Sequence, residues 1–202
     1  MDLIKLYHKI KDKMGNYFAK LPITTNTYTL MVLAPAFIAF FALVFQQILL
    51  AGVLLLISGF FDIIDGSVAR IRKKETVFGA WFADFSDKGA ETCLLFGISF
   101  INCAIPYLDQ NFAILLLFVL GFMFSYIKPH GYFWKMIRKK NEPIVWFDRN
   151  SRLGIIYIGL IFYFINPSYL GWAIIISLAI SSIKLIQALQ YLLPRIIWEL
   201  RK

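Results

Sequence analysis

Six of the twelve carboxylates in this chain fall between positions 62 and 91: Asp62, Asp65, Glu75, Asp84, Asp87 and Glu91. All but Glu75 lie in sequence with the hydropathy of membrane-spanning helix. An ionised carboxylate at that depth costs at least about 2.5 kcal/mol, so it calls for a countercharge or a water-filled cavity. Asp62 and Asp65 are spaced i, i+3 and share a helix face, and Asp84 and Asp87 repeat the spacing further on. The short basic loop between the two pairs makes their helices antiparallel and should bring the pairs together. Such a crowd of acids does not stay ionised unaided. Three chemistries fit. The acids pair with Arg70, Arg72, Lys73, Lys74 and Lys88 as a structural network, or line the proton or cation route of a transporter, or seat hard divalent cations. Mg²⁺, Mn²⁺ and Ca²⁺ take all-oxygen ligand sets. No His or Cys lies nearby to favour zinc.

The elements that must position these acids follow from the composition. Of 202 residues, 59% are hydrophobic and only 16% charged, with a mean hydropathy of +0.68. This excludes a disordered chain, an ordinary cytosolic enzyme and a nucleic-acid-binding basic domain, and it points to an all-α, polytopic membrane protein. Residues 21–61 carry no charge. At 1.5 Å per residue they would make about 60 Å of helix, twice a hydrocarbon core of about 30 Å, so the stretch turns round at Gln46-Gln47. The uncharged stretch 153–183 breaks at Asn166-Pro167-Ser168, and Pro106 and Asp109 separate the apolar runs 92–108 and 110–127. Six transmembrane helices are expected, at about 25–45, 48–72, 77–104, 110–138, 151–165 and 169–192. The division is 1–20 as an amphipathic juxtamembrane helix and 21–202 as the six-helix membrane domain. In 1–20, apolar residues such as Leu3, Ile4, Tyr7, Ile10, Met14 and Phe18 alternate with lysines, as in a helix lying in the headgroup region. No apolar h-region of a cleavable signal is present there.

The lysines and arginines cluster in 5–20, 70–74, 135–152 and 195–202, whereas the opposite loops at 46–47, 105–109 and 166–168 hold none. Short-loop Lys/Arg bias orients membrane proteins, so both termini and the acid-bearing helix ends are expected on the cytoplasmic side. A transporter would distribute its acids along the membrane route, which this chain does not do. Cys93 and Cys103 sit in apolar sequence and read as small buried hydrophobes.

The linear pattern narrows the choice. Asp62-Ile-Ile-Asp65-Gly66-Ser-Val-Ala69-Arg70, eight residues, Gly79 and then Asp87 resembles the signature of the CDP-alcohol phosphotransferase family, D-x2-D-G-x2-A-R-x8-G-x3-D-x3-D. The resemblance implies a homodimeric membrane enzyme that uses two divalent cations, Mg or Mn. It transfers a substituted phosphoryl group from a CDP-linked donor to the hydroxyl of a polar alcohol, with CMP leaving. It assigns metal ligation to Asp62, Asp65 and Asp87, and makes Asp87 the general base. It places the nucleotide against Asp65, Gly66, Ala69, Arg70 and Gly79, three of them small enough for a ligand to lie on the backbone. Thr25-Asn26 and Thr29 resemble the polar start of the family's first helix, although an N-cap accounts for them equally well.

One position departs: the third aspartate of the pattern falls at Ala83, with Asp84 one residue later. One helical step turns a side chain by about 100°, so Asp84 serves as a metal ligand only if a local bulge restores its register. Otherwise Ala83 is an inactivating substitution, and the chain is a slow enzyme or a catalytically retired scaffold. Lys128, Arg149 and Arg152 are similar to the Lys and two Arg of members with phosphorylated acceptors such as inositol phosphate or glycerol phosphate. Guanidinium forks suit phosphate. Plain cytoplasmic-face charge is the alternative for both arginines. The implied donor is CDP-diacylglycerol or CDP-archaeol. A soluble variant of the reaction would join CDP-inositol to inositol phosphate.

Overall fold

A computed structural model describes residues 13–74, 76–133 and 149–200, with the side chains of 124–133, of 149–151 and of several positions beyond 190 outside the described set. All regular structure in these residues is helical: residues 13–18, then α1 (Thr25–Val44), α2 (Ile48–Ile71), α3 (Val77–Ile98), α4 (Gln110–Phe133), α5 (Arg149–Phe162) and α6 (Ser168–Leu200). The chain forms two compact units, Met1–Ile101 and Asn102–Lys202.

In the first unit α1 is the centre, packing along both α2 and α3, which touch each other only slightly. Thr24 caps α1, its hydroxyl accepting the Thr27 N–H at 3.2 Å, and Thr76 caps α3 by accepting the Gly79 N–H at 2.9 Å. The connections turn tightly through non-glycine residues in the left-handed region, Gln46 (φ 61°) and Lys73 (φ 52°). The Gln46 side chain secures its turn by donating to the Phe100 carbonyl at 2.6 Å. Along α1 the buried row Val32, Ala36 and Ala39 is short, and α3 answers with glycines. A Cβ on Gly89 would stand 2.6 Å from Leu33 Cδ1, and one on Gly97 would stand 2.5 Å from Leu43 Cδ1. Small residues of this kind let membrane helices approach closely. Ser58 of α2 donates to the Val32 carbonyl at 2.6 Å, satisfying a buried hydroxyl between helices. The outer surface is apolar, with Phe37, Phe41, Leu49 and Leu56 exposed.

The second unit packs α6 against both α4 and α5. Gly159 lies against Ala173, and the Tyr163 hydroxyl donates to the Asn102 carbonyl at 2.8 Å. Cys103 is buried, as expected of a small hydrophobe, and Cys93 is half-buried.

Among the described residues, three helices are long and apolar enough to cross a membrane: 25–44, 48–71 and 168–190. Six were expected. α3 has the length but carries Asp84, Asp87, Lys88 and Glu91, while the described apolar stretches of α4 (Gln110–Met123) and α5 (Arg152–Phe162) are shorter than a span. Two ends differ from expectation. α3 stops at Ile98 and not near 104, with Ser99 donating to the Phe96 carbonyl. α6 runs through Pro194 to Leu200.

The expected interfacial helix 1–20 lies outside the described residues up to 12. In the part that is described, Met14 and Phe18 pack on protein, against the buried cluster Tyr28, Ile64 and Val68. A Cβ on Gly15 would stand 2.8 Å from Ser67 Cβ.

Candidate active site

Asp62 and Asp65 lie one helical turn apart in the C-terminal half of α2, both half-buried. Across the α1–α2 interface, the hydroxyl of buried Thr29 stands 3.4 Å from Asp65 Oδ2 and 3.4 Å from the Thr25 carbonyl, its one proton shared between the two acceptors, and Asp65 Oδ1 accepts the Gly66 N–H. Because Thr24 provides the cap of α1, Asn26 and Thr29 are released from that duty. Thr29 meets an aspartate, and Asn26 Oδ1 lies 3.8 Å from where a Cβ on Gly79 would stand. Asp65 of the α2 half of the motif and Gly79 of the α3 half thus both border the first turns of α1.

The glycines of the motif differ from those of the helix contacts. A Cβ added to Gly66 would meet nothing within 4 Å, so no neighbouring side chain explains its smallness. Gly79 is crowded only by its own cap, Thr76 Oγ1 at 3.0 Å, and by Asn26. Arg70 is exposed in the last turn of α2 and Ala69 is half-buried.

On α3, Asp87 is half-buried, Ala83 is half-buried and Asp84 is exposed. The helix is regular α from Val77 to Ile98, without the bulge that would rotate Asp84 into the place of residue 83. Glu91 is accounted for by Lys88, whose ammonium stands 3.1 Å from Glu91 Oε2. Glu75 lies outside the described residues. The carboxylates are hard oxygen donors of the kind Mg²⁺ or Mn²⁺ takes, and the space over Gly66 leaves a ligand room. Among the described residues, however, no three His, Cys, Asp or Glu side chains converge on one point. The donor set fits a divalent cation in kind, while the expected meeting of the two aspartate pairs is not a closed coordination shell.

Arg72 departs from its expected part. It was a candidate for pairing with the acids, alongside Arg70 and the lysines of the loop. Its guanidinium turns back on the chain instead, donating to the carbonyls of Ala19 (2.9 and 2.8 Å), Leu21 and Ile23. Nothing in the sequence announces this, because the partners are backbone atoms of residues 19–23, far back along the chain.

In the second unit Arg152 is buried in the first turns of α5, only 7% exposed, and its carbonyl accepts from Ser177 Oγ at 3.2 Å. A guanidinium so placed is not simple surface charge. The side chains of Lys128 and Arg149 lie outside the described residues; Lys128 belongs to α4, and Arg149 begins α5.

Three comparisons bear on this arrangement. The family described as CDP-alcohol phosphatidyltransferase matches residues 23–183. Archaetidylinositol phosphate synthase of Pyrococcus horikoshii is 31% identical over 100 residues, which are 48% of this chain and 53% of that protein, so the match spans about half the length of the relative. The crystal structure of Mycobacterium tuberculosis phosphatidylinositol phosphate synthase with CDP-DAG bound superposes with a TM-score of 0.67 at 21% identity, over 91% of this chain and 94% of that one. The same enzyme in complex with manganese and citrate gives 0.65 at 20% identity, over 90% and 88%.

Proposed function

The chain belongs to the CDP-alcohol phosphatidyltransferase family, and from that membership we propose that it is an integral membrane enzyme transferring a phosphatidyl-type group to a phosphorylated acceptor. The donor is CDP-diacylglycerol or CDP-archaeol, the acceptor inositol phosphate or glycerol phosphate, and CMP is released. The names of the two relatives, an archaetidylinositol phosphate synthase and a phosphatidylinositol phosphate synthase, favour inositol phosphate as acceptor. The observation that carries the reading is the open backbone at Gly66 beside Asp65, within a motif that departs from the family pattern at one position.

Asp62 and Asp65, with Asp87 on α3, would hold the divalent cations, which neutralise the charge that develops on the phosphoryl and leaving oxygens. Asp65 is oriented from both oxygens, Oδ2 by Thr29 and Oδ1 by the Gly66 N–H, and a carboxylate oxygen that accepts a hydrogen bond keeps a second lone pair for a cation. Gly66 and Gly79 let the nucleotide approach the backbone, and Arg70 meets donor phosphate as a charge-assisted partner. Asp87 accepts the proton of the acceptor hydroxyl, making it a nucleophile towards phosphorus. The resemblance gives the acceptor phosphate to Lys128, Arg149 and Arg152. Both termini and the site face the cytoplasm, by the distribution of Lys and Arg, and the working unit is a homodimer.

The regular helix around Ala83 adds a second element: the chain binds nucleotide but turns over slowly. The test is CMP release from CDP-diacylglycerol and CDP-archaeol with Mn²⁺ or Mg²⁺, offering inositol phosphate and glycerol phosphate in turn. It is run on this chain, on Ala83→Asp and on Asp62→Ala. Metal-dependent release that is strongest in Ala83→Asp and absent from Asp62→Ala is the expected result. Equal behaviour of all three overturns the assignment.

A further inference from the structure

The segment that joins helix 13–18 to α1 is held as a strap across the end of α2. Arg72 fastens three of its carbonyls, Ala19, Leu21 and Ile23. Tyr28 of α1 donates its hydroxyl to the Phe18 carbonyl at 2.8 Å, and Gly15 sits against Ser67 and Ile71. Backbone carbonyls in a non-helical turn need donors, and water is the ordinary supply. Here one guanidinium, with its donors in a fixed fork, reaches three carbonyls of the segment leading directly to the Thr24 cap, one of which, Leu21, also accepts the Ile23 N–H at 2.8 Å. The residues just past that cap are Asn26, beside Gly79, and Thr29, bonded to Asp65.

We infer that Arg72 is a positioning residue for the nucleotide site: by clamping residues 19–23 it sets where the first turns of α1 present Asn26 and Thr29 to the motif. The inference rests on the nucleotide-binding reading above. Arg72 itself contacts no substrate. Its side chain is spent on the strap, so its effect reaches the site through α1. Lysine replaces it only in part, because a single ammonium does not span three carbonyls with the same rigid geometry.

The test is CMP binding in the presence of Mn²⁺, by calorimetry on detergent-solubilised full-length protein, comparing the parent with Arg72→Ala, Arg72→Lys, Asn26→Ala and the Arg72→Ala/Asn26→Ala double variant. Arg72→Ala is expected to raise the Kd about tenfold, Arg72→Lys by a smaller factor, and the double variant by less than the product of the single effects, because the two residues share one function. A residue that only stabilises the fold would lower the fraction of binding-competent protein and leave Kd alone, and that result overturns the inference. A second readout does not depend on nucleotide. With Cys93 and Cys103 changed to alanine, an Asn26→Cys/Gly79→Cys pair should cross-link readily in the parent and several-fold more slowly with Arg72→Lys or Arg72→Ala. Unchanged cross-linking overturns the inference even if CMP fails to bind the parent, an outcome that would separately sink the nucleotide-binding reading.

Discussion

Thr29 and Asp65, thirty-six residues apart in sequence, are joined by a hydrogen bond of 3.4 Å that crosses from α1 to α2. It ties a carboxylate of the motif to a helix that carries no acid. A bond to a charged group is typically worth about 1.5–3 kcal/mol, and the length here, with the Thr25 carbonyl competing for the same proton, puts it below that range. Thr29→Val should therefore weaken Mn²⁺-dependent CMP binding by roughly fivefold, about 1 kcal/mol, while Thr29→Ser retains it. Titration of CMP against the three proteins decides the matter, and equal affinities would show the bond to be incidental.

Gly66 offers a test in which stability and function move in opposite directions. Alanine in a helix interior is favoured over glycine by about 0.5–1 kcal/mol, and the added Cβ meets no atom within 4 Å. Gly66→Ala should raise the thermal midpoint in detergent slightly and lower CMP affinity about tenfold. Gly97→Ala, whose Cβ would press on Leu43, should do the reverse, lowering the midpoint with CMP affinity unchanged. If Gly66→Ala binds CMP as the parent does, the space above it is not where the nucleotide lies.

Restoring a carboxylate at position 83 should accelerate metal-dependent CMP release by at least an order of magnitude, since each 1.4 kcal/mol of transition-state stabilisation is tenfold. Asp84, exposed on an uninterrupted helix, should tolerate asparagine with less than a twofold change. A large loss in Asp84→Asn would mean that this residue, and not position 83, supplies the missing ligand.

Cys103 sits between α3 and α4, and burial pushes its thiol up to about 11. The charged form is the one penalised, so raising the pH towards 11 is needed to populate thiolate. At pH 8, three units below that value, only about a thousandth of the thiol is ionised, against about a tenth for a thiol at 9.0. Iodoacetamide should therefore modify Cys103 at least about a hundredfold more slowly than an exposed cysteine. Mass-spectrometric labelling kinetics read this directly, and rapid modification would contradict the burial.

Much of the architecture was legible because hydropathy and cap chemistry are local. Expected helices at 25–45 and 48–72 became Thr25–Val44 and Ile48–Ile71, since the break at Gln46-Gln47 is the only polar step in a long apolar run. The motif spacing placed Asp62, Asp65 and Asp87 on neighbouring helices for the same reason. Legibility ended where partners are distant. The use of Arg72 for three carbonyls, the Thr29–Asp65 bond and the burial of Arg152 each depend on which helices pack together, and no spacing rule encodes them. The last helix, expected to end near 192, continues through Pro194 to Leu200. Asn102 and Cys103 read as the end of an apolar helix, when the chain had already left α3 at Ile98.

The helix that donates no acid governs how far apart the acids stand. α2 and α3 lean on α1 far more than on each other, and the face of α1 between them is built partly from alanine, Ala36 and Ala39 among them. The separation of the two acid-bearing helices is therefore calibrated by the girth of a spacer, and a single methyl group added to that spacer would reset the gauge between them.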